Sequence, residues 1–191
     1  MRRYGCVLLL LIAGCLGPRQ DPSAFFTLSP MSEPSQGMPV SVTLGVGPVT
    51  IPGYLDRSQI VVRLSENEVA LAETDRWAEP LVESITRTLE ENLQALLPGS
   101  SFVDYPWYDS DAPAYAIELV FRRFEADATG TVVLQAEWRI TRRGSLVVRG
   151  SVRLDDAAEG PDRAASVAAL SRTLAELGRQ IANAVRTAAS G

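Results

Sequence analysis

The side chains with the most obvious capacity for chemistry lie in one stretch, Asp104-Tyr105-Pro106-Trp107-Tyr108-Asp109-Ser110-Asp111. Its three carboxylates could hold calcium, and its rings could stack on a sugar or enter a membrane surface. The spacing is not that of an EF-hand loop and no glutamate closes it, so a surface connection between two strands is the better reading. Composition removes most other machinery. All 18 cationic side chains are arginine, with neither lysine nor histidine anywhere in the 191 residues. That excludes a lysine Schiff base, the lysine of a phosphate-binding loop, histidine metal ligands and every histidine-based triad. A carboxylate pair for glycoside hydrolysis stays open, because such pairs meet only in the fold, but no two acids stand out. Enzymes stay possible on composition, but most familiar catalytic machinery is absent, and the sequence singles out no catalytic residue, no metal site and no cofactor.

Cysteine carries the remaining chemistry. Met1-Arg2-Arg3-Tyr4 is a basic start, Val7 to Ala13 is unbroken apolar sequence, and Gly14-Cys15 follows. A spanning helix needs about 20 apolar residues, so this run is too short to be one. Charged start, short apolar middle and small residues before a cut are the parts of a secretory signal. Ile12-Ala13-Gly14-Cys15 resembles the bacterial lipobox, which implies cleavage after Gly14 and a thioether-linked diacylglycerol on Cys15. The alternative is an ordinary signal peptide that happens to contain a cysteine. Cys6 leaves with residues 1–14, and a lone cysteine in an exported chain needs an explanation, which acylation supplies. Removal of Arg2 and Arg3 leaves 16 arginines against 23 acidic residues. That balance speaks against a nucleic-acid partner and for attachment to the membrane by lipid rather than by basic attraction. In proteobacterial lipoproteins aspartate after the acylated cysteine favours inner-membrane retention. Here Leu16 follows, which points to the periplasmic face of the outer membrane.

Residues 15–24 are expected to form the lipidated cysteine and tether, and residues 25–189 one domain. Phe25 to Leu28 and Val40 to Val46 read as strands, and Gln59 to Leu64 with Glu68 to Ala72 as a hairpin. Trp77, Leu81, Ile85, Leu89, Leu93 and Leu96 recur at helical spacing, so a helix is expected from Trp77 or Ala78 to Pro98-Gly99. Tyr115 to Phe124, Thr131 to Ile140 and Ser145 to Leu154 alternate apolar and polar residues, the mark of an antiparallel meander with one dry face. Pro161 to Ala189 is an alanine-rich helix. The predicted fold is α/β, a mixed and largely antiparallel sheet with two main helices packed on one face. Between the early strands, Pro48 to Arg57 is rich in turn residues yet contains Ile51, Tyr54 and Leu55. These three are a candidate partner or subunit contact, with burial under the sheet the equal alternative.

Several stretches together resemble one family. They are Gly45-Val46-Gly47-Pro48-Val49-Thr50-Ile51-Pro52-Gly53-Tyr54-Leu55-Asp56-Arg57 through Ile60-Val61-Val62-Arg63, then Arg76-Trp77-Ala78-Glu79-Pro80-Leu81. Arg123-Phe124-Glu125 and Leu134-Gln135-Ala136-Glu137-Trp138-Arg139 complete the set. They are similar to the ABC-type transport auxiliary lipoproteins, the PqiC-like or paraquat-inducible family, over nearly the whole mature domain. Gly53 departs from the polar residue expected there. The resemblance implies a non-enzymatic part of a trans-envelope lipid-transport system, anchored to the membrane through Cys15. It further implies a homo-oligomer and an MCE-domain protein as partner. Two other readings fit the sequence: a general envelope-assembly lipoprotein, and a lipid-anchored hydrolase using two carboxylates.

Overall fold

The computed structural model describes residues 22–31, 39–108 and 110–190. Cys15 and the signal segment lie outside them. Among the described residues eight strands form one mixed sheet. They are β1 (Ala24–Phe26), β2 (Thr43–Thr50), β3 (Gln59–Arg63), β4 (Val69–Trp77), β5 (Ser101–Phe102), β6 (Tyr115–Asp127), β7 (Thr131–Arg142) and β8 (Ser145–Ala157). Helix α1 (Leu81–Leu96) follows β4, and α2 (Arg163–Ala189) ends the described chain.

Strand β6 is the axis of the sheet. One of its edges pairs antiparallel with β7 from Tyr115↔Arg142 to Ala126↔Val132. The other is shared by two parallel strands in succession. β2 takes the first half, Leu44↔Tyr115 to Thr50↔Val120, and β3 takes the end, Val62↔Ala126 and Arg63↔Asp127. Segment 51–58, which joins them, therefore runs past a stretch of β6 that no strand covers. β6–β7–β8 is the expected meander, and the sheet is mixed because β1, β2, β3 and β5 all enter parallel pairs.

The two helices lie against each other on one face, where Gly178 of α2 brings the backbone close to Asn92 and Leu89 of α1. Ile85, Leu89 and Leu93 from α1 and Leu170, Leu174, Leu177 and Ile181 from α2 meet Ile117, Leu119, Phe121 and Phe124 of β6, all fully or almost fully buried. Asp162 caps α2, its side chain accepting from Ala165 N at 2.8 Å and satisfying one of the helix's free donors. Ser84, Asn92 and Ser171 are also buried. They satisfy the chain that follows β1: Leu28 N donates to Ser84 Oγ at 3.4 Å, Ser29 N to Ser171 Oγ at 3.1 Å and Met31 N to Asn92 Oδ1 at 2.7 Å. An extended segment laid on a helix pair needs such acceptors, because its amides have no ladder.

Two sequence expectations shift. Trp77 does not open α1 but closes β4, buried and paired with Phe26, and Pro80 stands at the N-cap. The Trp77-to-Leu81 spacing is helical by coincidence: the strand's last core residue stands four positions before the helix's first. Strand β2 continues through Pro48 to Thr50 instead of ending at Val46.

Candidate functional site

Segment 51–58 places the three predicted contact residues in different environments. Leu55 is 2% exposed and belongs to the core. Ile51 is half-buried against that core. Tyr54 is half-buried as well, and its hydroxyl donates to Glu125 Oε2 at 2.8 Å. The segment's outward surface is thus Gly53, Asp56, Arg57 and Ser58, with parts of Ile51, Pro52 and Tyr54.

Glu125 is the centre of a buried polar cluster. A β-bulge between Phe121 and Arg123 resets the alternation of β6, so Arg123 and Glu125 sit opposite Gln135 and Val133, away from the helices, while Phe124 stays in the core. Glu125 Oε1 accepts from Arg63 Nε at 2.7 Å and Arg123 Nε at 2.8 Å. Oε2 accepts from Tyr54 Oη and from Phe124 N at 3.1 Å. The Arg63 guanidinium also lies over the Tyr54 ring, 5.7 Å from its centroid. A carboxylate offers about four lone-pair positions, and all four are engaged. Burial pushes the Glu125 carboxyl up, but the hydrogen bonds from Arg63, Tyr54 and Arg123 outweigh it and hold the group below its ordinary value. Burial first, then the bond to Glu125, raises the Tyr54 phenol to about 12, so it remains a neutral donor. This arrangement suits a clamp that fastens segment 51–58 across the uncovered part of β6. Glu125 has no free position from which to exchange a proton with a substrate.

The acidic, aromatic loop is largely exposed, with Tyr105 half-exposed and Trp107 partly buried. Tyr105 and Trp107 pack edge to face at 5.0 Å. They press on β2 where it carries Gly47 and Gly45; a Cβ at either position would come within 2.6 Å of a ring. Close approach explains both glycines. Tyr108 is 72% exposed, Asp104 and Asp111 are exposed, and Asp109 lies outside the described residues. Among the described residues no three His, Cys, Asp or Glu side chains come together to hold a metal ion.

The family model for the ABC-type transport auxiliary lipoprotein component matches residues 26–182. The chain belongs to that family. It is 28% identical over 106 residues to the intermembrane transport lipoprotein PqiC of Escherichia coli K12 and, equally, of Shigella flexneri. The match takes in 56% of this chain and 55% of each relative, so the chain spans about half the length of the curated relatives it matches. Two solved structures share the fold. One is an uncharacterised protein, 23% identical, TM-score 0.72, covering 85% of this chain and 98% of that one. The other is protein XCC0632 from Xanthomonas campestris, 17% identical, TM-score 0.70, covering 88% and 97%. The matched region takes in the clamp residues, α1, most of α2 and the whole β6–β8 meander.

A second titratable group lies beside β2. Glu90 on α1 borders a pocket of ≈390 Å³ with Val46, Val49, Val82, Tyr105 and Asp104. Burial, and then the charge of Asp104, raises its carboxyl to about 7. A carboxyl whose folded value exceeds its unfolded one stabilises the fold fully below about 4.5 and loses that contribution as pH rises through about 7. Glu90→Gln is therefore expected to raise the melting temperature by about 3 °C at pH 8, on the order of 1 kcal/mol after solvent screening, and to leave it unchanged at pH 4. Thermal melts of both proteins across that range check it.

The clamp partners were hard to see in sequence, with one exception. Phe121 and Phe124 are three apart in a strand where core residues should be two apart, and Arg122-Arg123 between them marks the bulge. Nothing in the sequence joins that bulge to Tyr54 or Arg63.

Proposed function

We propose that this chain is a lipid-anchored envelope protein that docks a trans-envelope lipid-transport assembly to the periplasmic face of the outer membrane. Its family is that of transport auxiliary lipoproteins, and the match over residues 26–182 begins soon after the Cys15 lipobox; that succession is the observation that carries the reading. Cys15 is the anchor. Each buried CH₂ contributes about 0.8 kcal/mol, and two or more chains hold stably where one does not. The tether up to β1 is short, at about 3.3 Å per residue, so the domain stays within roughly 30 Å of the bilayer. An MCE-domain protein is the proposed partner, and a homo-oligomer the proposed working form. Segment 51–58, held rigid by the Glu125 clamp, is the proposed contact: Tyr54 and Ile51 are half-exposed there on a fixed backbone, so binding costs little ordering entropy.

The test is mild crosslinking in intact cells, followed by pull-down through a C-terminal tag. An MCE-domain protein among the captured partners is the expected result. Capture of a different outer-membrane complex alone would favour an assembly role and defeat the transport reading.

A further inference from the structure

Three strands end the sheet, and two of them are very short: β1 has 3 residues and β5 has 2. The third, β8, has 13 and pairs with β7 alone, from Thr131↔Ala157 to Arg142↔Ser145. About half of its peptide groups therefore point away from the sheet. Among the described residues no backbone pairs with that edge. Long edges are usually blunted by proline, shortness, a bulge, charged side chains or a covering segment. β8 carries Arg149, Arg153, Asp155 and Asp156, and its register shift lies near its start, between Leu146 and Val148. β8 contains no proline.

Its two faces say what would fit beside it. Toward the helices, Val148, Val152 and Leu154 are only half-buried, whereas their β7 partners Ile140, Ala136 and Leu134 are at most 1% exposed. The core layer thins at β8, leaving an apolar ledge that one more strand would cover. On the other face Arg149 and Arg153 point outward with Ser151 between them. Arg149 stands directly opposite Arg139, a like-charge pairing that costs stability. Arg139 is bonded to Glu118, and Arg149 has no carboxylate partner among the described residues. These side chains border an open trough of ≈1000 Å³. Glu137 pairs Arg122, Glu118 pairs Arg139 and the exposed Asp155 pairs Arg153, which leaves Arg149 as the uncompensated charge. The chain as a whole carries a net charge of −5, so this is a local reversal of sign.

We propose that the free edge of β8 receives an extended segment of another protein as a ninth strand. That segment carries carboxylates at alternate positions, facing Arg149 and Arg153, and apolar side chains between them, facing the ledge. A second copy of β8 fits poorly. It would bring the same two arginines with Ser151, not an acid, between them, so like charges would meet across the seam. The proposal stands apart from lipidation and transport.

The full chain is titrated with a fluorescent peptide of about ten residues alternating valine and glutamate, and with its valine–lysine counterpart. The glutamate peptide is expected to bind, to weaken as NaCl rises from about 50 to about 500 mM, and to protect alternate β8 amides from hydrogen exchange. The double variant Arg149→Glu, Arg153→Glu should lose about tenfold in affinity for it. If that variant does not fold, Arg149→Gln with Arg153→Gln should lose about threefold. Equal binding of both peptides, protection elsewhere, no binding, or β8 protection that rises only with protein concentration would each overturn the proposal.

Discussion

Glu125→Ala is expected to destabilise the fold by about 3–5 kcal/mol, the cost of leaving buried or half-buried charges without their counter-ion. The carboxylate is 1% exposed and joins three elements: Arg63 on β3, Arg123 on β6 and Tyr54 in segment 51–58. Its loss strands two guanidinium groups and a phenol at once. With a urea dependence of about 2 kcal/mol per molar, the midpoint should fall by about 2 M. Because the folded carboxyl lies below its ordinary value, its contribution is complete above the unfolded pKa and drains away as pH falls through the folded one. The gap between wild type and variant should therefore close in acid. Tyr54→Phe removes one bond and should cost about 1 kcal/mol. The double variant should cost less than the sum, since both act on the same carboxylate. Urea unfolding of the four proteins at neutral and acid pH checks each step. Equal stability of Glu125→Ala and wild type at pH 7 would mean the cluster is not a clamp.

Gly150→Val is expected to cost about 3 kcal/mol, for steric rather than electrostatic reasons. Gly150 lies opposite Trp138 in the β7–β8 ladder. A Cβ there would come 2.4 Å from Cζ2 and 2.6 Å from Cε2 of the indole. Trp138 packs against the core and crosses the glycine, so the ring has to leave its place for any side chain to enter. Thermal unfolding should show the loss, and Trp138→Leu in the same chain should recover most of it by removing the obstructing ring. A Gly150→Val protein as stable as wild type would place the indole elsewhere.

These two sites show where sequence reading reaches and where it stops. The meander is legible because β7 and β8 keep a period of two over many residues and β6 keeps it as far as its bulge, and α2 because its apolar residues step by three and four. Periodicity alone assigns Trp77 to the helix, because strand end and helix start happen to be four residues apart. β5 is too short at 2 residues to leave a pattern. Tyr54 and Leu55 stand in one turn-rich segment, yet one caps a carboxylate 71 residues away and the other enters the core. Only the fold brings such partners together, so composition could hold open both fates of the segment and choose neither. The Asp104–Asp111 loop was legible as a connection, and the packing of Tyr105 and Trp107 on two glycines gives the reason its rings stay in place.

Intact mass of the mature protein purified from the envelope is the decisive measurement for the docking role. A chain that begins at Cys15 and carries diacylglycerol on the sulfur is the predicted result, with loss of membrane association in Cys15→Ser. A free Cys15 thiol, or a mature chain that starts at another residue and fractionates with soluble proteins, would contradict it.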